Sequence, residues 1–363
     1  MAARTGVDKW MFFITLVLVV VGLAMVFSAS AVVAQARYNS EFADVGRQAG
    51  WALAGVIAML ALTCVNYTVY KSPWFVYPAL CVSMLLLVAV FFFPGSHNTH
   101  RWIRFGGLFT FQPSELAKPV MVIFLAWFLH TRLNRMRDWK NTLLRAAIVP
   151  VVFVLLVVRQ PDLGTAMVLA GVTVLMLILA GIDWKWILGA CLAALPGLVA
   201  LLLVGWRLKR LKVFLHPEAD PTGDGFHIYQ SLVAVGAGGV TGRGYMEGIQ
   251  KLFFLPEATT DFIFANIAEE LGLVGAVAIV LLFAVFGWRG LRTAFRSQDP
   301  FARLVAFGIT TTIVLQAFFN ISVVLSLVPT KGIPLPLISS GGTSMFTTLA
   351  SIGILLSITR QIE

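Results

Sequence analysis

Residues 10–30 read WMFFITLVLVVVGLAMVFSAS, an apolar stretch without a charged side chain. A helix needs about 20 mostly apolar residues to cross a bilayer. The stretch is too long for the core of a signal peptide and lacks a convincing cleavage site, so we interpret it as the first transmembrane span. The whole chain shares this character, because 59% of its 363 residues are apolar and 12% are charged, against about 25% charged in soluble domains.

Further apolar stretches predict an all-α integral membrane protein with about ten transmembrane helices. An even number of spans places both termini on one side. The short loops on that side hold about twice as many Lys and Arg residues as the short loops opposite, so we expect cytoplasmic N- and C-termini. The predicted spans lie near residues 10–30, 48–66, 74–93, 116–131, 146–159, 164–181, 186–205, 262–287, 304–327 and 344–358.

The sequence shows no internal repeat and no soluble domain, so we expect residues 1–363 to form a single polytopic membrane domain. One large extracytoplasmic loop, about 206–261, is predicted between helices 7 and 8. The net charge of +10 indicates basic anchors that meet anionic membrane lipids, not nucleic acid. Cys64, Cys81 and Cys191 lie inside apolar runs, and we interpret them as small core residues without a disulfide or metal role.

Residues 98–118 read NTHRWIRFGGLFTFQPSELAK and place ionisable side chains at the mouth of the bundle. Glu115 and Lys118 are three residues apart and share a helix face. Ionisable residues at this depth usually pair or face a cavity. One interpretation is a structural ion pair. The other is a cationic groove for an anionic headgroup, with Arg101 as a cation and Trp102 as its flat wall.

The stretch 159–165, RQPDLGT, joins two predicted spans within a few residues. Pro161 and Gly164 are typical of turns, and Asp162 is a favoured residue type for capping the next helix. We interpret this motif as structural.

The predicted outer loop is rich in glycine, which allows tight turns or a close backbone approach to a ligand. Its Arg243 and Lys251 are candidates to clamp phosphate. Asp261 follows in DFIF at the start of a span, where a half-sheltered carboxylate suits a general base, although Asp is also a common helix cap. Glu269 and Glu270 lie two turns deeper, and at least one should face the bundle interior.

Residues 320–344 read NISVVLSLVPTKGIPLPLISSGGTS, and their prolines and glycines prevent a regular helix. Irregular backbone at membrane depth is tolerated only inside protein or along a cavity. We therefore predict a re-entrant or broken segment. The sequence carries no nucleotide-binding glycine loop and no clustered His/Cys ligand set, so nothing supports an energy-coupled pump.

With these stretches in view, the sequence resembles the SEDS family (shape, elongation, division and sporulation). The last motif matches the family signature, apart from Ser326 at one spacer position. Five other stretches also resemble blocks of the family: RWI, QPSELAK, QPDLGTA, DPTGDGFHIYQS and LPEATTDFIFANIAEELG. HPEADP, MEGIQKLFFLPE and Lys331 favour the divisome branch. The signature residues are Asn320, Pro329, Gly332, Ile333, Leu337, Ile338, Ser339, Gly341, Gly342, Thr343 and Ser344.

The resemblance implies a peptidoglycan glycosyltransferase that adds lipid II to a growing glycan strand outside the bacterial cytoplasmic membrane. Asp261 is the expected catalytic base. The residues expected to bind substrate or to line its groove are Arg101, Trp102, Gln112, Glu115, Lys118, Gln230, Arg243, Lys251 and Ser339. No cofactor is evident from the sequence. A divalent cation bound at the pyrophosphate is an open alternative, but no cluster of ligand residues supports it.

Two other classes remain open from sequence. A lipid II flippase would need polar residues along the whole bilayer thickness, whereas this sequence concentrates them at one mouth. A scaffold that only recruits a partner would not need Asp261. The resemblance also implies a class B penicillin-binding protein, a transpeptidase, as partner.

Overall fold

The computed structural model describes residues 6–94, 100–105, 109–132, 139–202, 225–252, 254–329 and 332–361, with isolated positions between 205 and 214. The described part of the chain is built from α-helices, two short 3-10 helices (Tyr67–Lys71 and Val90–Phe92) and one small antiparallel hairpin, β1 (Ile103–Phe105) and β2 (Phe109–Phe111). The helices are α1 (Lys9–Tyr38), α2 (Ala43–Cys64), α3 (Pro73–Ala89), α4 (Pro113–His130), α5 (Trp139–Arg159), α6 (Leu163–Leu179), α7 (Trp184–Leu202), α8 (Phe226–Gly238), α9 (Ile263–Arg296), α10 (Pro300–Val324) and α11 (Gly342–Thr359).

A helix lies over each of the ten predicted spans, and α8 is an additional helix inside the predicted outer loop. Among the described residues, seven helices are long and apolar enough to cross a membrane, and α6 is a shorter apolar helix. Helices α4 and α5 extend beyond their predicted bounds into their N-terminal flanks. The all-helical fold class is confirmed, while the number of crossings and the side on which the termini lie stay predictions.

The outer surface of the bundle is apolar, as a lipid-facing surface must be. Large apolar side chains such as Leu53 and Trp74 are exposed on it. Cys64, Cys81 and Cys191 are also exposed and are free thiols. The prediction that these cysteines are core residues is therefore wrong. An apolar run does not distinguish core from surface in a membrane protein, because lipid tails are as apolar as the protein interior.

Helices α2 and α11 approach each other closely through glycine. A Cβ atom at Gly55 would lie 2.6 Å from Leu349 Cδ1, and one at Gly353 would lie 2.6 Å from the Met59 carbonyl oxygen. Small residues allow this approach, which gains van der Waals contact where the hydrophobic effect does not drive helices together.

Helix α9 is kinked at Gly272, where φ is 65° and ψ is −165°. Glycine tolerates this conformation because it has no Cβ atom. The turns before the kink are buried and include Glu269 and Glu270, so the prediction that at least one of these carboxylates faces the interior is confirmed.

The described residues between α10 and α11 are irregular, and those at 333 and 335–339 are buried, which confirms the prediction of a broken segment. It packs against the middle of α1, where a Cβ atom at Gly22 would lie 2.5 Å from the Leu337 carbonyl oxygen. The segment therefore reaches the middle of the bundle.

Candidate active site

Asp261 lies at the end of the loop that leads into α9. The helix begins at Ile263, and its cap position is occupied by Phe262, whose side chain makes no capping hydrogen bond. Asp261 lies one residue before this cap position. Asp261 is half-buried, and the next residue, Phe262, is buried.

The backbone around Asp261 is fastened to the family signature. The Ser339 hydroxyl donates a hydrogen bond to the Thr260 carbonyl at 2.6 Å. The Asn320 side-chain amide donates to the Asp261 carbonyl at 2.8 Å and to the Ile333 carbonyl at 2.7 Å. Hydrogen bonds from buried amide and hydroxyl groups fix a backbone more firmly than packing alone.

Ser339 is in turn held by its own surroundings. It accepts a hydrogen bond from the Leu335 amide at 2.7 Å. The side chain of Gln48, on α2, donates to the Ser339 carbonyl at 3.2 Å and accepts from the Gly341 amide at 3.1 Å. The sequence predicts Ser339 to bind substrate. In the structure its side chain is buried and connects two segments of the protein by hydrogen bonds.

Arg101 and Asp261 border the same small space at Gly332. A Cβ atom at Gly332 would lie 2.8 Å from Asp261 Oδ2 and 3.6 Å from an Arg101 guanidinium nitrogen. Arg101 also donates to the Pro161 carbonyl of the predicted turn. That turn packs on the same segment, because a Cβ atom at Gly164 would lie 3.0 Å from the Gly332 carbonyl oxygen. The Asp261 carboxylate and the Arg101 guanidinium thus lie next to Gly332, whose missing side chain leaves a space between them.

The predicted capping role of Asp162 is confirmed. Its carboxylate accepts hydrogen bonds from the Thr165 amide at 3.2 Å and the Thr165 hydroxyl at 2.9 Å. The Gln112 side chain donates to the same carboxylate at 3.2 Å and to the Ser114 hydroxyl at 3.0 Å. Gln112, predicted to line the substrate groove, is buried at this junction between the start of α4 and α6.

Glu115 and Lys118 form the ion pair that their spacing predicted. The carboxylate and the ammonium are 2.8 Å apart, and both side chains are buried. Lys118 also donates to the Gln316 side chain at 2.6 Å, and Gln316 donates to the Pro334 carbonyl at 2.9 Å. The pair is thereby linked to the signature segment. It borders a small, mostly apolar cavity that is also lined by Pro119, Val122, Ile309, Thr312, Ile313, Gln316, Thr347, Thr348 and Ser351.

Arg243 and Lys251 lie in a separate cluster. Lys251 is buried and pairs with Glu270 at 2.6 Å. Arg243, which is partly exposed, lies 3.8 Å from Glu269. The charge of each predicted phosphate ligand is therefore already balanced by a buried carboxylate of α9.

Trp102 and Gln230 are both half-buried, in the strand approach to β1 and on α8 respectively. Near Gln230, the His227 ring stacks on Phe262 with a centroid distance of 6.1 Å and an interplanar angle of 16°. Sequence reasoning did not select His227 or Gln316 as site residues. The HIYQS block pointed to the helix that carries His227, and nothing local pointed to Gln316.

Residues 215–224, which include most of the DPTGDG motif, lie outside the described residues. Across the described ranges, no three His, Cys, Asp or Glu side chains are grouped to hold a metal ion.

Comparison with known proteins gives the same family as the signature. Residues 9–363 match the FtsW/RodA/SpoVE family, described as cell cycle protein. The chain belongs to this family, and it is a multi-pass membrane protein. The resemblance predicted from the sequence is confirmed.

Curated relatives cover almost the whole chain. A probable peptidoglycan glycosyltransferase FtsW of Geobacter metallireducens is 40% identical over 94% of this chain and 92% of its own length. Stage V sporulation protein E of Bacillus subtilis is 39% identical over 98% of both chains. The FtsW relatives agree with the predicted likeness to the divisome branch.

Solved structures share the fold. A chain from a peptidoglycan synthase complex that coordinates polymerization and crosslinking is 27% identical, covers 98% of both chains and has a TM-score of 0.77. The rod shape determining protein RodA of Thermus thermophilus is 25% identical over 98% of both chains, with a TM-score of 0.72.

Proposed function

We infer that this protein is a peptidoglycan glycosyltransferase that polymerises lipid II, with Asp261 as its general base. The observation that carries the proposal is the convergence of Asp261 and Arg101 on the space at Gly332. The names of relatives about 40% identical over nearly the whole chain support the same activity.

The proposed reaction is a single displacement. The C4 hydroxyl of the acceptor sugar attacks C1 of the donor while its proton passes to the Asp261 carboxylate. The bond from C1 to the pyrophosphate oxygen breaks, and undecaprenyl pyrophosphate leaves. One displacement inverts the configuration at C1. A base positioned in this way contributes about 10²–10⁴-fold to the rate.

Arg101 borders the same space at Gly332 as this base, and we propose that it stabilises the charge that develops on the leaving pyrophosphate. Its guanidinium is oriented by bonds to the backbone carbonyls of Gln160 and Pro161. A planar guanidinium suits phosphate oxygens because it presents several donors in fixed geometry.

The other substrate contacts stay predictions. Trp102 and Gln230 are partly exposed and available to a ligand. Gln112, Lys118, Lys251 and Ser339 are buried and bonded within the protein. To contact a ligand, these four side chains would have to break their present hydrogen bonds or ion pairs within the protein. A role in holding the site in place requires no such change.

We propose that the active site faces the outside of the bacterial cytoplasmic membrane, with both termini in the cytoplasm. The excess of Lys and Arg in the short loops on the side of the termini supports this orientation. A class B penicillin-binding protein is the proposed partner, supported by the similarity to a chain of a peptidoglycan synthase complex.

A lipid II flippase is the alternative that an experiment must separate. Purified protein and its cognate transpeptidase would be placed in liposomes that contain lipid II. Glycan polymer would be followed by gel electrophoresis, and lipid II scrambling by its accessibility to an added enzyme. Polymer formation supports the proposal. Scrambling without polymer would replace it with the flippase.

A further inference from the structure

Two adjacent carboxylates on α9, Glu269 and Glu270, are fully buried and take no part in the proposed reaction. A charged group is costly to bury unless it is paired and hydrogen-bonded. The partners of these two carboxylates therefore indicate what the pair does.

Glu270 binds two side chains and the loop backbone. It accepts a hydrogen bond from Ser28 of α1 at 2.6 Å, and it pairs with Lys251 at 2.6 Å. Lys251 also donates to the Ser28 hydroxyl at 2.7 Å. The Met246 amide donates to the second carboxylate oxygen at 3.0 Å. One carboxylate thus ties α1, α9 and the loop together.

Glu269 binds the loop through the backbone. It accepts from the Ile249 amide at 2.9 Å and from the Gln250 amide at 3.2 Å, with Arg243 nearby. Between these contacts, Gly248 lies directly over both carboxylates. A Cβ atom there would be 3.0 Å from Glu270 Oε1 and 3.2 Å from Glu269 Oε2.

The kink of α9 provides a second attachment for the same loop. At the kink, the carbonyl groups of Glu269 and Glu270 accept from the amides of Arg243 and Gly244, each at 3.0 Å. The Leu273 amide, beyond the kink, donates to the Gly239 carbonyl at 3.0 Å. The loop therefore occupies the peptide groups that the break in the helix leaves unbonded.

This cluster, which we call the acidic clasp (Glu269, Glu270, Ser28 and Lys251), holds the chain ten residues before Asp261. From there, the Leu255 amide donates to the Gln250 carbonyl at 2.7 Å. The Asn266 side chain donates to the Ala258 carbonyl at 2.8 Å. The segment from Lys251 to Asp261 is thus fixed by the clasp at one end and by Ser339 and Asn320 at the other.

We propose that Glu269 and Glu270 are positioning residues, which set the place of Asp261 by holding the loop that delivers it. They touch neither substrate nor the reacting atoms. The activity readout of this proposal rests on the proposed function, whereas the effect on loop structure does not.

The test uses the full chain in detergent with its cognate transpeptidase, as Glu269→Gln, Glu270→Gln, Asp261→Asn and the matched control Glu247→Gln. Glu247 is exposed on the same loop, outside the clasp. Hydrogen exchange of residues 243–262 reports loop order, and lipid II polymerisation gives kcat and KM.

The clasp variants are expected to exchange about tenfold faster in this region and to lose about 10- to 100-fold in kcat, with KM within about twofold of the wild type. Glu247→Gln should match the wild type. Asp261→Asn should lose activity without faster exchange.

Exchange at the wild-type rate in both clasp variants, faster exchange without a loss of kcat, or a loss confined to KM would each overturn the positioning role. Activity retained by Asp261→Asn would instead overturn the base assignment, and the exchange data would still test the clasp. If the Gln variants do not fold, Gly248→Ala disturbs the same carboxylates more gently, and it should change exchange and kcat in the same directions.

Discussion

Asn320 reaches from α10 to the backbone of Asp261, whose carbonyl oxygen accepts a hydrogen bond from the Asn320 amide at 2.8 Å. The same amide nitrogen also donates to Ile333 in the signature segment at 2.7 Å. One side chain therefore fixes the candidate base relative to the segment that carries Gly332. Asn320, the first residue of the signature, thus connects Asp261 to the rest of the motif in this chain.

Asn320→Ala should lower polymerisation strongly, because the carbonyl groups of Asp261 and Ile333 lose their donor and the Asp261 backbone is released. The loss of stability should be about 1–3 kcal/mol, and the loss of activity should exceed what unfolding explains. The control is Asn66→Ala, which removes the hydrogen bond that the Thr68 amide donates to the Asn66 side chain, at a cost of about 0.5–2 kcal/mol. Equal activity of the two variants, measured on folded protein, would contradict this role.

Gly332→Ala should abolish most of the activity while the protein still folds. The added methyl group would lie 2.8 Å from Asp261 Oδ2, so the carboxylate must move or the space must close. Gly236→Ala on α8 is the matched control, since a Cβ atom there meets nothing within 4 Å. Polymerisation rates of the two variants check the prediction, and an active Gly332→Ala enzyme would show that the space at Gly332 is not used.

Arg101→Lys should behave more like Arg101→Ala than like the wild type. The arginine guanidinium donates to the carbonyl groups of Gln160 and Pro161 and also borders Gly332. A lysine ammonium keeps the charge but lacks the planar arrangement of donors that allows these contacts together. Arg104→Lys, on an exposed neighbouring residue of β1, is the control and should be nearly silent. Polymerisation rates of the variants are compared at saturating and at low lipid II concentrations. Full activity of Arg101→Lys would show that only the positive charge of Arg101 is needed, not its planar geometry.

Lys118→Met should destabilise the protein by about 3–5 kcal/mol, because it leaves the buried Glu115 carboxylate without its cation. Glu115→Leu combined with Lys118→Met should recover much of this loss, since no charge then remains buried. Thermal unfolding in detergent measures both variants. If the double variant were no more stable than Lys118→Met, the ion pair would not account for the loss.

The features that sequence predicted well depend on local pattern. Hydropathy located ten helical segments, the i, i+3 spacing gave the Glu115–Lys118 pair, and the residue type of Asp162 gave its capping role. The prolines and glycines after Asn320 predicted the broken segment. Each of these patterns can be recognised from residues that are neighbours in the sequence.

The features that it missed depend on distant partners. Lys251 looked like a free cation in a loop, and its pairing with Glu270 and Ser28 depends on how α1 and α9 pack. The orientation of the cysteines failed for another reason, because lipid and protein interior present the same apolar environment.

The most direct test of the central assignment compares the rate of glycan polymerisation by the wild type with that of Asp261→Asn, which keeps the size of the side chain and removes its basicity. Asp183→Asn, an exposed aspartate before α7, is the matched control. Each protein would be supplied with lipid II and its cognate transpeptidase. A fall of about 10²–10⁴-fold in Asp261→Asn alone is the predicted result, and polymerisation at the wild-type rate would contradict the assignment of Asp261 as the base.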